Sequence, residues 1–334
     1  MENMISVVVI TYNQEATIGR TLDSILMQQC HIPIEIVIGE DCSTDGTRAV
    51  CQRYAEQHPG TIRLLANKQN KGVLTNYLAC VLAARGTYIA DCAGDDFWID
   101  PLKLEKELCL MERDASITLV HTAWQTYHEH SHNVSAAPCQ PFSAPVTDGS
   151  DMLEAIITQT RMPVIHLCTS LYRADVIRQA YHAHPDLFQN TQWPCEDLQI
   201  AFMMAFHGKI GYLPDVTLNY SQGHPSVSSP HTIKRQFDFY QRATQLSHHL
   251  ATTYQLHSAL TQRFFNQRAF SMLMFAFRAH SRELRRTAIA CQNQWGATTT
   301  LAIALVKGMT ACEPLWQGAL VVRQVFVTIK RLFR

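Results

Sequence analysis

Ile5-Ser6-Val7-Val8-Val9-Ile10-Thr11-Tyr12, followed at once by Asn13, decides the fold of this chain. A near-continuous run of β-branched residues without polar alternation suits a strand buried on both faces. Outward from it the period changes to that of a helix, from Ala16 to Gln28. The same exchange then repeats. Ile34 to Asp41 reads as a strand, Thr44 to His58 as a helix, Thr61 to Ala66 as a strand, Val73 to Ala84 as a helix and Thr87 to Asp91 as a strand. Strands separated by helices of this length describe an α/β fold with a mostly parallel sheet flanked by helices. In such sheets ligands bind beyond the C-terminal strand ends. Polar clusters sit at those ends: Thr11-Tyr12-Asn13, Glu40-Asp41, Asn67 and Gly94-Asp95-Asp96.

Further along, Ile117 to Tyr127 reads as a strand, and the His-, Ser- and Pro-containing stretch to about Asp148 as a loop. Residues 150–230 are mixed: a helix from Asp151 to Thr158, a strand from Val164 to Tyr172, a helix after Glu196, then Lys209 to Tyr220. From His231 onward the pattern is helical. With 334 residues, 47% hydrophobic and 17% charged, the chain holds enough apolar material for a sizeable core and too much for disorder. Eleven cysteines are scattered without a CxxC pair, and no secretory leader precedes the first strand, so reduced thiols and a cytoplasmic location are the expectation. No apolar run reaches the roughly 18–20 residues of a membrane span; the segment from Leu301 to Val327 is interrupted by Lys307, Glu313, Pro314 and Arg323.

A net charge of zero conceals an asymmetry. From His231 to the end there are 14 basic against 3 acidic residues, which leaves 14 against 25 for residues 1–230 out of totals of 28 and 28. A basic part could face nucleic acid or an anionic membrane surface. From Leu320 onward, Val321, Val322, Val325, Ile329, Leu332 and Phe333 fall on one helical face with Arg323, Lys330 and Arg334 opposite. That pattern suits peripheral contact with a membrane, or packing on another part of the chain, and no nucleic-acid partner is expected.

The turn after the first strand lacks the GxGxxG that a dinucleotide needs, and offers an aromatic face and side-chain acceptors that suit a nucleoside. Taken in order, Ser6-Val7-Val8-Val9-Ile10-Thr11-Tyr12-Asn13, Glu40-Asp41-Cys42-Ser43-Thr44-Asp45-Gly46-Thr47, Asn70-Lys71-Gly72 with Asn76, and Gly86-Thr87-Tyr88-Ile89-Ala90 leading to Gly94-Asp95-Asp96 resemble the family 2 glycosyltransferases. The resemblance covers about residues 4–225. It implies a GT-A (Rossmann-like) fold over 1–230, with a nucleotide-binding part to about 115, an acceptor part from 116, and a basic helical region over 231–334. It also implies that Thr11, Tyr12, Asn13, Glu15, Asp41, Asn70, Lys71, Asn76 and Asp95 hold a nucleotide-sugar, with Asp45 serving the helix start instead. Ser43 or Thr44 is the expected N-cap of that helix.

Adjacent carboxylates repel unless a cation neutralises them, and a nucleoside diphosphate leaving group needs such a cation. Asp95 is therefore the candidate ligand of Mn²⁺ or Mg²⁺, with Asp96 assisting and His224 a further candidate. Position 93, where the family carries an acidic residue, is Ala, and Asp91 is the nearest substitute. Glu196-Asp197 opens a helical stretch and looks like the family's Glu-Asp motif: Asp197 is the candidate general base and Glu196 the fallback, with Trp193-Pro194 beside them. A zinc reading of His128, His130 and His132 lacks the partner residues of a structural site. The implied activity is inverting transfer from a nucleotide diphosphate sugar, UDP-linked by preference, to a hydroxyl of a cell-surface glycan or lipid-linked acceptor. The rivals are a sugar nucleotidyltransferase and a non-catalytic scaffold protein.

Overall fold

The computed structural model describes residues 2–136, 144–160, 164–223 and 232–332, with side chains as far as 323. β1 (Glu2–Thr11) lies between β2 (Ile34–Glu40) and β4 (Gly86–Asp91), and β3 (Ile62–Ala66) borders β2, all parallel. Val8 of β1 pairs with Val37 on one side and Asp91 on the other. Ile5, Val7, Val8 and Val9 are each no more than 1% exposed, which explains the missing alternation: helices cover both faces. The crossovers are α1 (Ile18–Leu26), α2 (Thr47–Gln57) and α3 (Val73–Ala83). Ile18, Leu22 and Ile25 of α1 pack into one core with Ile5, Val7 and Val9. Each such side chain contributes about 1.5–3 kcal/mol by leaving water.

The second half turns the sheet from parallel to mixed. Its elements are β5 (Phe97–Trp98), α4 (Lys103–Arg113), β6 (Ile117–His128), β7 (Asn133–Ala136), β8 (Val146–Asp148), α5 (Leu153–Thr158), β9 (Ser170–Arg173), α6 (Ala174–Ala183), α7 (Pro185–Phe188), α8 (Asp197–His207) and β10 (Lys209–Gln222). The strand order is β3-β2-β1-β4-β9-β6-β10-β5, with β7 on β6 and β8 on β10. β9 inserts antiparallel to both β4 and β6 and so joins the halves into one sheet. The stretch expected as a loop before Asp148 thus contains β7 and β8. β7 is exposed throughout and has no apolar alternation to reveal it; pairing with β6 makes it a strand. α2 begins at Thr47 with Gly46 as N-cap, three residues later than expected, because Ser43 and Thr44 bond to the first turn instead.

The chain divides into two compact units, 1–224 and 225–334. Among the described residues the second has helices as its regular elements: α9 (Ile233–Thr253), α10 (Ala259–Ala279), α11 (Arg282–Gln294), α12 (Leu301–Ala311) and α13 (Glu313–Leu332). The side chains of Thr232, Ser258, Ser281 and Thr300 accept backbone N–H bonds and start the first four. Among the described residues no helix is long and apolar enough to cross a membrane.

Candidate active site

Two turns at the C-terminal edge of the sheet are laced together. Asn13, in the left-handed region at φ 54°, donates its N–H to Ser43 Oγ at 3.0 Å and accepts from Thr44 N at 2.8 Å through Oδ1. Glu15 N donates to Asp45 Oδ2 at 3.2 Å, while Glu15 Oε2 accepts from Gly46 N at 2.9 Å. Asp45 also accepts from Thr47 N, so it serves the start of α2. Thr11 is 3% exposed and donates its hydroxyl to Gln14 Oε1. Most of this expected nucleotide-binding set therefore shapes the turn. Tyr12, 45% exposed, is its outward aromatic face.

Asp41 organises the next turn. Its Oδ1 accepts from Asn67 Nδ2 and from Lys71 N, and its Oδ2 from Gly72 N, each at 2.9 Å. Asn70 Oδ1 accepts from Gly72 N as well, and the side chain of Lys71 is exposed. A carboxylate has about four acceptor positions, and these bonds occupy three of those of Asp41. Asn76 is different: it is 3% exposed, donates to Gly39 O at 2.8 Å and accepts from Asn67 Nδ2. It braces β2 to β3 and α3 from within the core. Gly39 makes room for it, since a Cβ there would lie 2.7 Å from Asn76 Oδ1 and 2.6 Å from Cys80 Sγ.

The acidic turn after β4 packs directly on β1. Gly94 N donates to Ile10 O, and a Cβ at Gly94 would lie 2.8 Å from Thr11 Oγ1. Asp96 is 2% exposed and accepts from Ser221 N at 2.8 Å, so its carboxyl ties the turn to β10. Burial first, and the neighbouring Asp95 charge second, hold the Asp96 carboxyl well above the usual carboxylate range. Asp95 is half-buried at the rim. His224 lies outside the described residues, as do residues 225 and 226 of the same loop.

Arg20 was not legible in any motif. It projects from α1, and its guanidinium lies 4.1 Å from the centre of the Phe97 ring and 5.2 Å from that of Tyr127. Nη2 donates to Glu129 Oε1 at 2.6 Å, Asp95 O at 3.1 Å and Ser221 Oγ at 3.2 Å. The residues it joins span 201 positions, so only tertiary structure brings them together.

A second group of acids stands at the start of α8. Asp197 is the first residue of that helix and accepts from Leu167 N at 3.1 Å. Burial, reinforced by the Asp197 charge, holds Glu196 well above its ordinary value. Asp91, 4% exposed, lies beside the hydrogen-bonded hydroxyls of Tyr77 and Tyr172. Burial pushes it up to about 8 despite those hydroxyls, and the Asp197 charge adds to the rise. The charge of Asp197 also raises Asp96, so the acids at the end of β4 and at the start of α8 form one electrostatic cluster.

His166, Trp124 and Tyr220 make an aromatic triangle next to Asp197, with ring centres 4.8–5.6 Å apart. Burial lowers His166 and the Asp197 charge opposes it. The sequence offered Trp193 as the aromatic beside the acid; its indole N–H donates to Asp186 O at 3.1 Å. The triangle comes from three separate segments and carries no local signal. Of the histidines expected at the surface, His128 and His132 bond to Ser135 and Tyr127 of the β6–β7 hairpin.

Comparison with known proteins fits this geometry. The solved structure of S. aureus TarS residues 1–349 with UDP-GlcNAc superposes with a TM-score of 0.54 over 89% of this chain and 93% of that one, at 14% identity. The mannosyltransferase PcManGT from Pyrobaculum calidifontis, with GDP-Man and Mn2+, gives 0.53 over 98% and 86%, at 16% identity. At such identities these likenesses speak for the GT-A fold. In sequence, the putative glycosyltransferase EpsE of Bacillus subtilis is 34% identical over 125 residues, 37% of this chain and 44% of that protein. The chain spans 38–45% of the length of several curated relatives that it matches. The model of the family described as glycosyl transferase family 2 matches residues 6–179, just over half of the chain. With the sheet order of the fold, this match makes the chain a member of glycosyl transferase family 2.

Proposed function

We propose that the chain transfers a sugar from a nucleotide diphosphate donor, UDP-linked by preference, to a hydroxyl of a cell-surface glycan or lipid-linked acceptor, with inversion. The observation that carries this reading is a set of contacts: Leu167 N donates to Asp197 Oδ1 and Ala93 N to Cys168 Sγ, so one segment touches both acid groups, while Gly94 N donates to Ile10 O and Asp41 N to Thr11 O beside them. Tyr12 offers its ring to the base, and Asp41 its remaining acceptor position. Lys71 offers a cation to the donor. The acceptor hydroxyl attacks the anomeric carbon as the bond to the diphosphate oxygen breaks, and Asp197 takes the hydroxyl proton. Glu196, which burial and the Asp197 charge hold above its ordinary value, stands behind Asp197 as the second acid of the pair. The Trp124–His166–Tyr220 triangle gives the acceptor sugar an apolar face beside the base.

The donor set suits one divalent cation. Asp95 stands at the rim with Asp96 buried behind it, a like-charge pair that a cation would relieve. Mn²⁺ or Mg²⁺ held by Asp95, with Asp96 in support, would offset charge on the departing diphosphate. In this reading Asp91, buried and pushed up to about 8 by that burial, stands apart from the cation and is not counted as the acid absent at Ala93.

In this reading residues 1–230 form the catalytic domain, with the nucleotide part to about 115 and the acceptor part beyond it. Residues 231–334 rest on the cytoplasmic face of a membrane. Support for the last point is the 14 to 3 excess of basic residues, together with the exposure of Leu301, Leu305, Leu315, Val321 and Val322 on α12 and α13.

Incubation with UDP-, GDP- and TDP-sugars plus Mn²⁺ tests the proposal. Release of nucleoside diphosphate is expected, whereas pyrophosphate release would point to a nucleotidyltransferase and absence of turnover and binding to a scaffold. Asp95→Asn and Asp197→Asn should each lower turnover by about 10²–10⁴-fold. Full activity in folded Asp197→Asn removes that residue from the mechanism.

A further inference from the structure

A cluster of metal-ligating side chains lies where the α1–β2 connection meets α4. Cys30 Sγ, His31 Nδ1 and a Glu105 carboxylate oxygen all fall within 4.8 Å of one another. The His31 imidazole is held from both sides: Nδ1 lies 2.9 Å from Glu105 Oε2, and Nε2 lies 3.3 Å from Glu112 Oε1. His31 N also donates to Glu105 Oε2 at 3.0 Å. Cys109, one turn along α4 from Glu105, has its Sγ 3.6 Å from Glu105 Oε1. One thiol, one imidazole, one carboxylate and a second thiol alongside thus converge from two segments about 75 residues apart in the chain.

We propose that Cys30, His31 and Glu105 bind a zinc ion, with Glu112 orienting the histidine. The donor set is chemically selective. Thiolate with imidazole suits Zn²⁺, and neither Mg²⁺ nor Ca²⁺ accepts sulfur readily. A histidine that ligates through one nitrogen almost always donates the other N–H to a carboxylate or carbonyl, which fixes the tautomer. Glu112 stands at the nitrogen that would carry that proton, leaving the Nδ1 lone pair directed towards Cys30 and Glu105. Three protein ligands leave a fourth tetrahedral position, open to water or to a rotated Cys109. On binding, the Cys30 thiol passes its proton to solvent and the thiolate enters the coordination shell.

The site has a structural consequence. Gln29 N donates to Pro101 O at 2.9 Å, and Gln28 Nε2 to Asp100 O at 2.8 Å, so the same connection already grips the segment that follows Asp95-Asp96. A metal there would pin α4, and through it the flank of the acidic turn, to the connection after α1.

The test uses the full chain, stripped with a chelator and titrated with Zn²⁺ by calorimetry and with Co²⁺ by absorption. One equivalent of tightly bound Zn²⁺ is expected, with proton release, a raised Tm and a thiolate-to-cobalt charge-transfer band. The band should vanish in Cys30→Ser, and affinity should drop on the order of 10–100-fold in Glu112→Gln. Melting of chelator-treated Cys30→Ser at the wild-type temperature would establish that the variant folds. Asp95→Asn separates this site from the donor cation, because it should leave the band and the zinc stoichiometry unchanged. No zinc binding by the folded wild-type chain, or a charge-transfer band that persists in Cys30→Ser, overturns the assignment.

Discussion

Replacing Asp91 by Asn is the most informative perturbation of the acid cluster. In the unfolded chain this carboxyl ionises near 3.8, whereas in the fold it keeps its proton up to about 8, chiefly because burial penalises the charge. Between those values the folded state binds more protons than the unfolded one, so the free energy of unfolding falls as pH rises through that window. The span from 3.8 to about 8, at about 1.36 kcal/mol per pH unit, sets a ceiling of about 6 kcal/mol. Relaxation and water entry leave such penalties at several kcal/mol, and about 2–4 kcal/mol is expected here. Asn keeps the shape and the neutral state of the protonated acid. Urea unfolding at pH 4, 5, 6, 7 and 8 should therefore show wild type losing about 2–4 kcal/mol more than Asp91→Asn across that range. Glu107 also sits above its ordinary value for reasons that do not involve Asp91 and drops out of the difference, whereas the charge of Asp91 raises Glu196 and adds to the difference in the same direction. Sugar transfer should stay within a few-fold of wild type. Equal pH slopes would refute the burial argument. Loss of transfer by about 10³-fold in a folded variant would instead make Asp91 an ionised participant, standing in for the acid missing at Ala93.

Two other perturbations follow from the same structure. Asp41→Asn would set an amide N–H against the backbone N–H of Gly72 or Lys71, costing about 1–3 kcal/mol of stability and raising the donor KM; an unchanged KM would detach Asp41 from the nucleotide. Lys103 and Glu107 form a fully buried pair at 2.7 Å beneath Trp98, and Lys103→Met should cost about 3–5 kcal/mol in urea unfolding. The double variant Lys103→Met with Glu107→Leu should recover most of that loss, and failure to recover would mean that the pair's shape, not its charge, holds α4.

The parallel half of the sheet was readable because its strands are buried on both faces and its helices amphipathic, so the apolar period alone separates them. The second half resisted. β7 and β8 owe their extended form to pairing with β6 and β10, a non-local interaction that leaves no trace in a polar four-residue stretch. α6 lay between two expected elements and was not separated from them.

At the site, sequence alone placed Tyr12, Asp41, Asp95 and Glu196-Asp197 at strand and helix ends, because order and spacing along the chain survive without coordinates. Tertiary structure alone decided what each does there. Asn13 and Glu15 lace two turns together at the surface, whereas Asn76 spends its polar atoms inside the core, where donors and acceptors must be paired. Burial holds Asp91 and Asp96 above the ordinary carboxylate range, a property of the environment and not of the residue. Arg20, the aromatic triangle and the Cys30–His31–Glu105 cluster exist only where distant segments meet. A one-dimensional pattern records periodicity and local spacing; proximity, desolvation and the pairing of charges are created when the chain closes on itself.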